Sequence, residues 1–173
     1  MRVDVILGND GSGFANTTLH AGDAAVVLHN IENVTGSRFG DDLEGSGLGN
    51  TLRGMAGDDV LTGRGGADLL VGGAGRDRAV VADIWDFTSP GAVASLLRGR
   101  VGAGEGEGIR LQGIENLIGG GGNDVLTGDH QRNLIYTGYG DDTLIGNGGT
   151  GNLITLVGVT STASLTSAEF LFI

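Results

Sequence analysis

Residues 36–80 read GSRFGDDLE, GSGLGNTLR, GMAGDDVLT, GRGGADLLV and GGAGRDRAV, five consecutive units of nine residues. Four more units, GGGGNDVLT, GDHQRNLIY, TGYGDDTLI and GNGGTGNLI, occupy residues 119–154. The first position is Gly in eight of the nine units, the sixth is Asp or Asn in eight, and the eighth is Leu or Ile in eight. Three chemically different positions that keep one phase over nine units indicate a repeat architecture.

The repeats belong to a larger duplication. The segment LHNIENVTGSRFGDDLEG from Leu28 matches LQGIENLIGGGGNDVLTG from Leu111, at an offset of 83 residues, and the match continues to Leu70 and Leu153. We interpret the chain as two modules, each with a lead-in segment and a nonapeptide block. The parts are 1–35 and 36–80, then 81–118 and 119–154, followed by a C-terminal cap with a possible secretion signal at 155–173.

Each unit predicts a six-residue turn, in which glycine allows positive φ, followed by a three-residue strand with one inward aliphatic side chain. Two units then make a coil, and units two apart stack at the usual strand spacing of about 4.8 Å. The gap between stacked turns is lined by backbone carbonyls and by the position-6 side chains. Oxygen ligands of this kind suit Ca²⁺ better than Mg²⁺ or a transition metal.

The pattern G-G-x-G-x-D-x-U-x, complete in GGGGNDVLT from Gly119, resembles the repeats-in-toxin (RTX), or haemolysin-type, calcium-binding nonapeptide. The arrangement is also similar to the R-modules of bacterial mannuronan C5-epimerases and to the C-terminal regions of serralysin-type proteases. The resemblance implies an all-β, right-handed parallel β-roll that binds several Ca²⁺ ions. It also implies a secreted bacterial protein that interacts with a type I secretion apparatus.

Stacking predicts which side chains share a metal site. The position-6 side chains expected to bind Ca²⁺ are Asp41, Asp59 and Asp77 on one edge, Asn50 and Asp68 on the other, and Asp124 and Asp142 in the second block. The glycines expected to keep the turns open are Gly57, Gly66, Gly73, Gly75, Gly120, Gly122, Gly138 and Gly140. The gap between Asp59 and Asp77 is expected to be the best site. The gap between Asp41 and Asp59 is expected to be weaker, because Phe39 stands at a glycine position.

Extending the register backwards by nine residues places Glu32 and Glu115 at position 6 ahead of the two blocks, stacked against Asn50 and Asn133. Two interpretations stay open. Each Glu either supplies the carboxylate that the stacked Asn lacks, or is a solvated residue of a leading strand. Asp86 falls in the same phase, but Val81 occupies the glycine position of that unit, which favours coincidence.

Composition excludes several classes of protein. The 173 residues include 21 acidic and 10 basic side chains, a net charge of −11, so nucleic acid is not an expected partner. The absence of Cys excludes disulfides and thiolate zinc sites. No apolar run reaches the length of a membrane span. No nucleophile–base set lies outside the repeat phase, so we expect a non-catalytic module.

The expected function is that of an extracellular module that folds on binding Ca²⁺ and supports type I secretion of a larger bacterial protein. One alternative is an alginate-type polysaccharide-binding module, to which Trp85, Arg98, Arg100 and Arg110 would contribute. Another is a segment of an adhesin or ice-binding stalk.

Overall fold

Every regular element is a β-strand in the computed structural model, which describes residues 4–7, 14–18, 26–29, 32–82, 90–104 and 106–146. The strands are β1 (Asp4–Leu7), β2 (Phe14–Thr18), β3 (Val26–His29), β4 (Asn33–Thr35), β5 (Asp42–Glu44), β6 (Thr51–Ala56), β7 (Val60–Thr62), β8 (Leu69–Ala74), β9 (Arg78–Val80), β10 (Ala92–Ser95), β11 (Arg100–Gly104), β12 (Arg110–Gln112), β13 (Asn116–Ile118), β14 (Val125–Thr127), β15 (Leu134–Tyr136) and β16 (Thr143–Ile145). No helix in these ranges is long and apolar enough to cross a membrane.

The strands form two sheets of eight. The first sheet has the order β15-β13-β9-β7-β5-β1-β2-β3, and the second has the order β16-β14-β10-β11-β12-β8-β6-β4. Successive nonapeptides contribute strands to alternate sheets. Within a block, parallel neighbours in the same sheet are 18 residues apart, as in the row Leu43, Leu61 and Ala79. The predicted all-β parallel β-roll is confirmed.

The core of the roll is a ladder of single aliphatic residues. The position-8 side chains with no exposed surface are Leu43, Leu52, Leu61, Leu70, Ala79, Leu126 and Ile135. Each strand of three residues except β16 buries its middle residue, and Leu144 in the middle of β16 is partly buried. A core one residue thick removes little apolar area per residue ordered, so the roll needs stabilisation from its turns.

Three strands of the segment that joins the two nonapeptide blocks belong to the second sheet. β10, β11 and β12 form an antiparallel meander, a row of strands each paired with the next. Its outer strands continue the roll, because β10 pairs in parallel with β14 and β12 pairs in parallel with β8. Ala92, Ala94, Val101, Ile109 and Leu111 bury its inner face.

A second meander precedes the first block. β1 pairs in parallel with β5, and β2 and β3 follow in antiparallel order to the end of the first sheet. The meander thus leads into the first block as β10–β12 lead into the second. The expected C-terminal cap at 155–173 lies outside the described residues.

Candidate metal centre

The position-6 side chains of stacked turns are brought together by hydrogen bonds between coils. In each stacked pair, Oδ1 of the later residue accepts the backbone N–H of the earlier one. The bonds are Asp41 to Asp59 (2.7 Å), Asn50 to Asp68 (2.7 Å), Asp59 to Asp77 (2.9 Å) and Asp124 to Asp142 (2.9 Å). One oxygen of each carboxylate therefore ties its turn to the coil before it.

The second oxygen is without a partner in three of these carboxylates. Oδ2 of Asp59, Asp68 and Asp77 is buried and has no hydrogen-bond donor. An ionised oxygen in that state is costly, because burial removes its hydration without a compensating bond. Burial raises the pKa of Asp59, and it raises those of Asp68 and Asp77 to about 6. The neighbouring carboxylates Asp59 and Glu115 add to the rise in the pKa of Asp77.

In these three turns, the glycine at position 1 leaves room beside this oxygen. A Cβ placed on Gly54, Gly63 or Gly72 would collide with Oδ2 of the Asp in the same turn. The Cβ on Gly54 would also lie 2.8 Å from the carbonyl oxygen of Gly72 in the next coil. Carboxylate and carbonyl oxygens therefore line the space that the missing side chain leaves.

The turns fall into two classes by backbone conformation. In the open turns, residues at positions 2 and 4 both have positive φ. They are Met55 and Gly57 (85° and 111°), Arg64 and Gly66 (64° and 92°), Gly73 and Gly75 (120° and 148°), and Gly138 and Gly140 (91° and 125°). Asp59, Asp68 and Asp77, whose Oδ2 atoms lack a donor, all stand in open turns.

In the closed turns, the position-2 N–H donates to the position-6 side chain of the same turn. The donor and acceptor pairs are Ser37 and Asp41, Ser46 and Asn50 (2.6 Å), Gly120 and Asp124 (2.8 Å), and Asp129 and Asn133 (2.8 Å). Each block starts with a closed turn on both edges. The backbone thus supplies the donor that is lacking in the open turns.

Glycine content alone does not decide the class. Gly120 and Gly122 were expected to keep their turn open, yet neither has positive φ, and Asp124 accepts the N–H of Gly120. Met55 and Arg64 take positive φ although neither is glycine. Met55 lies in β6 and pairs in register with Gly73 of β8, which also has positive φ, whereas Arg64 lies in the turn before β8.

The sequence model of the RTX calcium-binding nonapeptide repeat, which spans four copies, matches residues 44–79, 111–144 and 118–153. The chain carries RTX calcium-binding repeats. No curated protein matches the chain. The geometry fits the metal that these repeats bind, because donor-free buried carboxylate oxygens and turn carbonyls are hard oxygen ligands.

In this RTX roll, Asp59, Asp68 and Asp77 would hold Ca²⁺ together with carbonyl oxygens of the open turns. The ion would supply the positive charge that their buried oxygens lack. No group of three or more His, Cys, Asp or Glu side chains converges within the described ranges, so carbonyls must complete the coordination. That these residues, and the others expected above, are calcium ligands stays a prediction.

The side-chain contacts of Glu32 and Glu115, the glutamates ahead of the two blocks, differ from the expected ones. Glu115 was expected to face Asn133, but its Oε2 accepts the N–H of Asp77 at 2.8 Å, in the coil before it. Asn133 instead donates its Nδ2 to the carbonyl oxygen of Glu115 at 2.9 Å. Glu115 thus behaves as a position-6 Asp does, because its carboxylate accepts a backbone N–H from the coil before it.

Glu32 occupies the backbone position expected of it, and its carbonyl oxygen accepts the N–H of Thr51 at 2.7 Å. Its side chain is exposed, and Oδ1 of Asn50 accepts the N–H of Ser46 rather than facing a carboxylate. The structure therefore does not join Glu32 and Asn50 in one site.

A second ladder, on the outer side of the turns, was missed by the sequence reasoning. Oδ1 of Asp58 accepts the N–H of Arg76 and Oδ1 of Asn123 accepts the N–H of Asp141, each at 2.9 Å and each between residues 18 apart. The signal in the sequence is an Asp or Asn at position 5. These side chains are exposed, so they connect coils without the cost of a buried charge.

Proposed function

We propose that this calcium-binding roll is a non-catalytic export and folding module of a larger bacterial protein. In the cytosol, where Ca²⁺ is scarce, the chain stays unfolded enough to pass a type I secretion apparatus. Outside the cell, Ca²⁺ folds it. The observation that carries the proposal is the set of buried oxygens without donors in Asp59, Asp68 and Asp77.

The energetic argument is that the metal-free roll is poorly stabilised. The chain has 36 glycines, which lose the most backbone entropy on folding, and a core one residue thick. The chain has a net charge of −11, so its acidic side chains repel one another when the chain is compact. Binding of Ca²⁺ removes the largest local penalties, and its free energy becomes folding free energy. Extracellular calcium modules bind Ca²⁺ with dissociation constants of about 10⁻⁴–10⁻³ M. A module with such an affinity is empty where Ca²⁺ is scarce, in the cytosol, and is loaded outside the cell.

The test neutralises the three donor-free carboxylates in one variant, Asp59→Asn, Asp68→Asn and Asp77→Asn. Each Asn keeps the acceptor for the coil before it but carries no charge. We expect more β-structure in chelator and a much weaker response to Ca²⁺ by circular dichroism. Asp58→Asn, on the outer ladder, is the matched control. An unchanged calcium midpoint in the triple variant would overturn the assignment.

Export is tested with a passenger domain fused ahead of the chain in cells that contain a type I apparatus. A variant that folds without Ca²⁺ should be retained in the cytosol, because a folded roll does not fit a narrow channel. We expect the triple Asn variant to be exported less than the unchanged chain and less than the Asp58→Asn control. Equal export of all three would contradict the role in secretion.

A second candidate function is binding of an acidic extracellular polysaccharide. Arg100 and Arg110 are exposed and stand directly opposite each other on β11 and β12, with exposed Arg98 in the preceding turn. Like charges in a cross-strand pair are unfavourable, and an anionic ligand would neutralise them. Alginate oligomers should bind the calcium-loaded chain and lose affinity in Arg100→Ala, whereas Arg132→Ala should bind normally. Trp85 lies outside the described residues.

A further inference from the structure

The last turn of the first block has the same oxygen lining as the turn one coil before it. A Cβ placed on Gly54 would collide with Oδ2 of Asp59 and would lie 2.8 Å from the carbonyl oxygen of Gly72. A Cβ placed on Gly72 would collide with Oδ2 of Asp77 and with the carbonyl oxygen of Gly113. Two oxygens that would both collide with one added atom converge on the same space. Gly113 therefore supplies the carbonyl that the next nonapeptide supplies elsewhere.

Gly113 belongs to a short turn through which the second module joins the roll. β12 ends at Gln112 and β13 begins at Asn116, so three residues form this turn, where residues 45–50 of the first block use six. Gly113 has a φ of 57°, a conformation that is costly for a residue with a Cβ. β13 then pairs in parallel with β9, Asn116 opposite Arg78, which holds the short turn against the first block.

The acidic residue of this short turn lies beside the same aspartate. Oε2 of Glu115 accepts the N–H of Asp77 at 2.8 Å, as Oδ1 of Asp77 accepts the N–H of Asp59 at 2.9 Å. The N–H of Glu115 in turn donates to the carbonyl oxygen of Asp77 at 3.2 Å. Burial, then the charge of Asp59 and then that of Glu115 raise the pKa of Asp77. Anionic groups from both modules therefore meet at the junction.

Asp77 also brings an oxygen that no donor satisfies. Its side chain is fully buried, and its Oδ2 has no hydrogen-bond partner. A buried carboxylate oxygen in that state is costly, and a carbonyl oxygen and a second carboxylate beside it add repulsion. A hard cation is the partner that would satisfy all of these oxygens together.

We propose that the junction is a Ca²⁺ site shared by the two modules. Oδ2 of Asp77 comes from the first block, whereas the carbonyl oxygen of Gly113 and the carboxylate of Glu115 come from the lead-in segment of the second. Two carboxylates match the double charge of the ion. Ca²⁺ takes roughly six to eight oxygen ligands, so carbonyls of the open turn and water would supply the others. The proposal rests on the proposed function in one respect, since the roll must bind Ca²⁺.

The opposite edge of the junction is lined differently. A Cβ placed on Gly63 would collide with Oδ2 of Asp68 and would lie 3.0 Å from Cδ1 of Ile109. A methyl group thus stands where Gly113 places a carbonyl oxygen on the first edge. The shared site is therefore assigned to the edge of Asp77 alone.

An ion at this site would couple the two modules. Its ligands come together only when β13 is paired with β9, because Asp77 precedes one strand and Glu115 precedes the other. A ligand that binds only the joined state stabilises that state by its own binding free energy. Calcium bound at the junction therefore favours the fold in which both modules are in place.

The test measures calcium-binding isotherms of the full chain by equilibrium dialysis. Glu115→Gln keeps an oxygen that can accept the N–H of Asp77 but removes the charge. We expect this variant to fold in Ca²⁺ and to bind one ion per chain at least about tenfold more weakly. The matched control is Glu107→Gln, which removes the same charge from an exposed side chain between β11 and β12 and should leave the isotherm unchanged.

Two backgrounds test whether Asp77 and Glu115 share that ion. In Asp77→Asn the junction site is already impaired, so adding Glu115→Gln should weaken calcium binding no further. In Asp142→Asn, a variant of the second block, adding Glu115→Gln should have its full effect. A full further effect in the Asp77→Asn background would overturn the shared site, because Glu115 would then act on an ion held elsewhere.

The outcomes separate the junction site from the proposed function. A chain that folds in Ca²⁺ by circular dichroism, with the same isotherm in Glu115→Gln as in the unchanged chain, overturns the junction site alone. Glu115 would then serve only as a hydrogen-bond acceptor. A chain that neither folds nor binds in Ca²⁺ contradicts the proposed function and the junction site together.

Discussion

The position-6 carboxylate uses its two oxygens differently. Oδ1 joins neighbouring coils, as between Asp41 and Asp59. Oδ2 of Asp59, Asp68 and Asp77, in three of the open turns, has no donor. This explains where Asn is found. Asn50 and Asn133 both stand in closed turns, where the position-2 N–H satisfies a neutral amide oxygen equally well. The open turns carry Asp at position 6, at Asp59, Asp68, Asp77 and Asp142.

Asp59 lies between two other position-6 aspartates, because it contacts both Asp41 and Asp77. We expect Asp59→Ala to raise the calcium midpoint by at least about tenfold, since even residues that only support a ligand cost that much. Asp58→Ala is the control. Asp58 is exposed, and its Oδ1 accepts the N–H of Arg76 on the outer ladder. Isothermal calorimetry measures both, and equal shifts would contradict the assigned register.

Protons should substitute in part for Ca²⁺. Burial raises the pKa of Asp68 and Asp77 from 3.8 to about 6 in the metal-free fold. Between these values the folded chain binds more protons than the unfolded chain, so its stability rises as pH falls. In chelator, β-structure should increase from pH 7 towards pH 5, whereas calcium affinity should decrease. Combined Asp68→Asn and Asp77→Asn should flatten both trends, and β-structure that declines on acidification would refute the explanation.

At the scale of the element, the turn is the unit whose conformation decides the chemistry. Periodicity predicted the turns, the short strands and the 18-residue register, because all three follow from a local repeat. It did not predict the open and closed classes, which depend on bonds such as that from Gly120 to Asp124. The meander β10–β12 was also missed, since its sequence has no nine-residue period and it joins the roll through non-local pairings with β14 and β8.

Met55 gives a direct test of the open-turn conformation. Its φ of 85° costs an L-residue roughly 1–2 kcal/mol, and its side chain is 54% exposed, so little packing is at stake. Met55→Gly should stabilise the calcium-loaded roll by up to about 1 kcal/mol after the entropy cost of glycine. Met55→Ala keeps a Cβ and should give no such gain. Chemical denaturation in Ca²⁺ distinguishes the two variants, and equal stabilities would mean that positive φ is not strained here.

At the scale of the molecule, two modules share one roll because the second begins where the last coil of the first ends. Glu115 takes the place of the next position-6 Asp and closes that edge with a hydrogen bond to Asp77. On the other edge, Ile109 stands in the position-6 place of the coil that stacks on Asp68. The next residue, Arg110, donates its N–H to the carbonyl oxygen of Asp68, as Arg78 does to Asp59. An apolar residue is no metal ligand, so the array of candidate sites is interrupted on that edge of the junction while the sheets continue.

Continuity of the sheets predicts that calcium folds the whole roll as one unit. The two blocks are joined through β13, which pairs with both β9 and β15, and through the meander β10–β12, which connects β8 to β14. We expect a chain with little β-structure in chelator and a single cooperative transition with millimolar Ca²⁺, followed by circular dichroism. Mg²⁺ at the same concentration should do much less, because it demands octahedral geometry and loses water reluctantly, which the carbonyl-lined turns do not suit. Asp124→Ala in the second block should then shift the transition of the whole chain, whereas independent blocks would give two transitions of which only one moves.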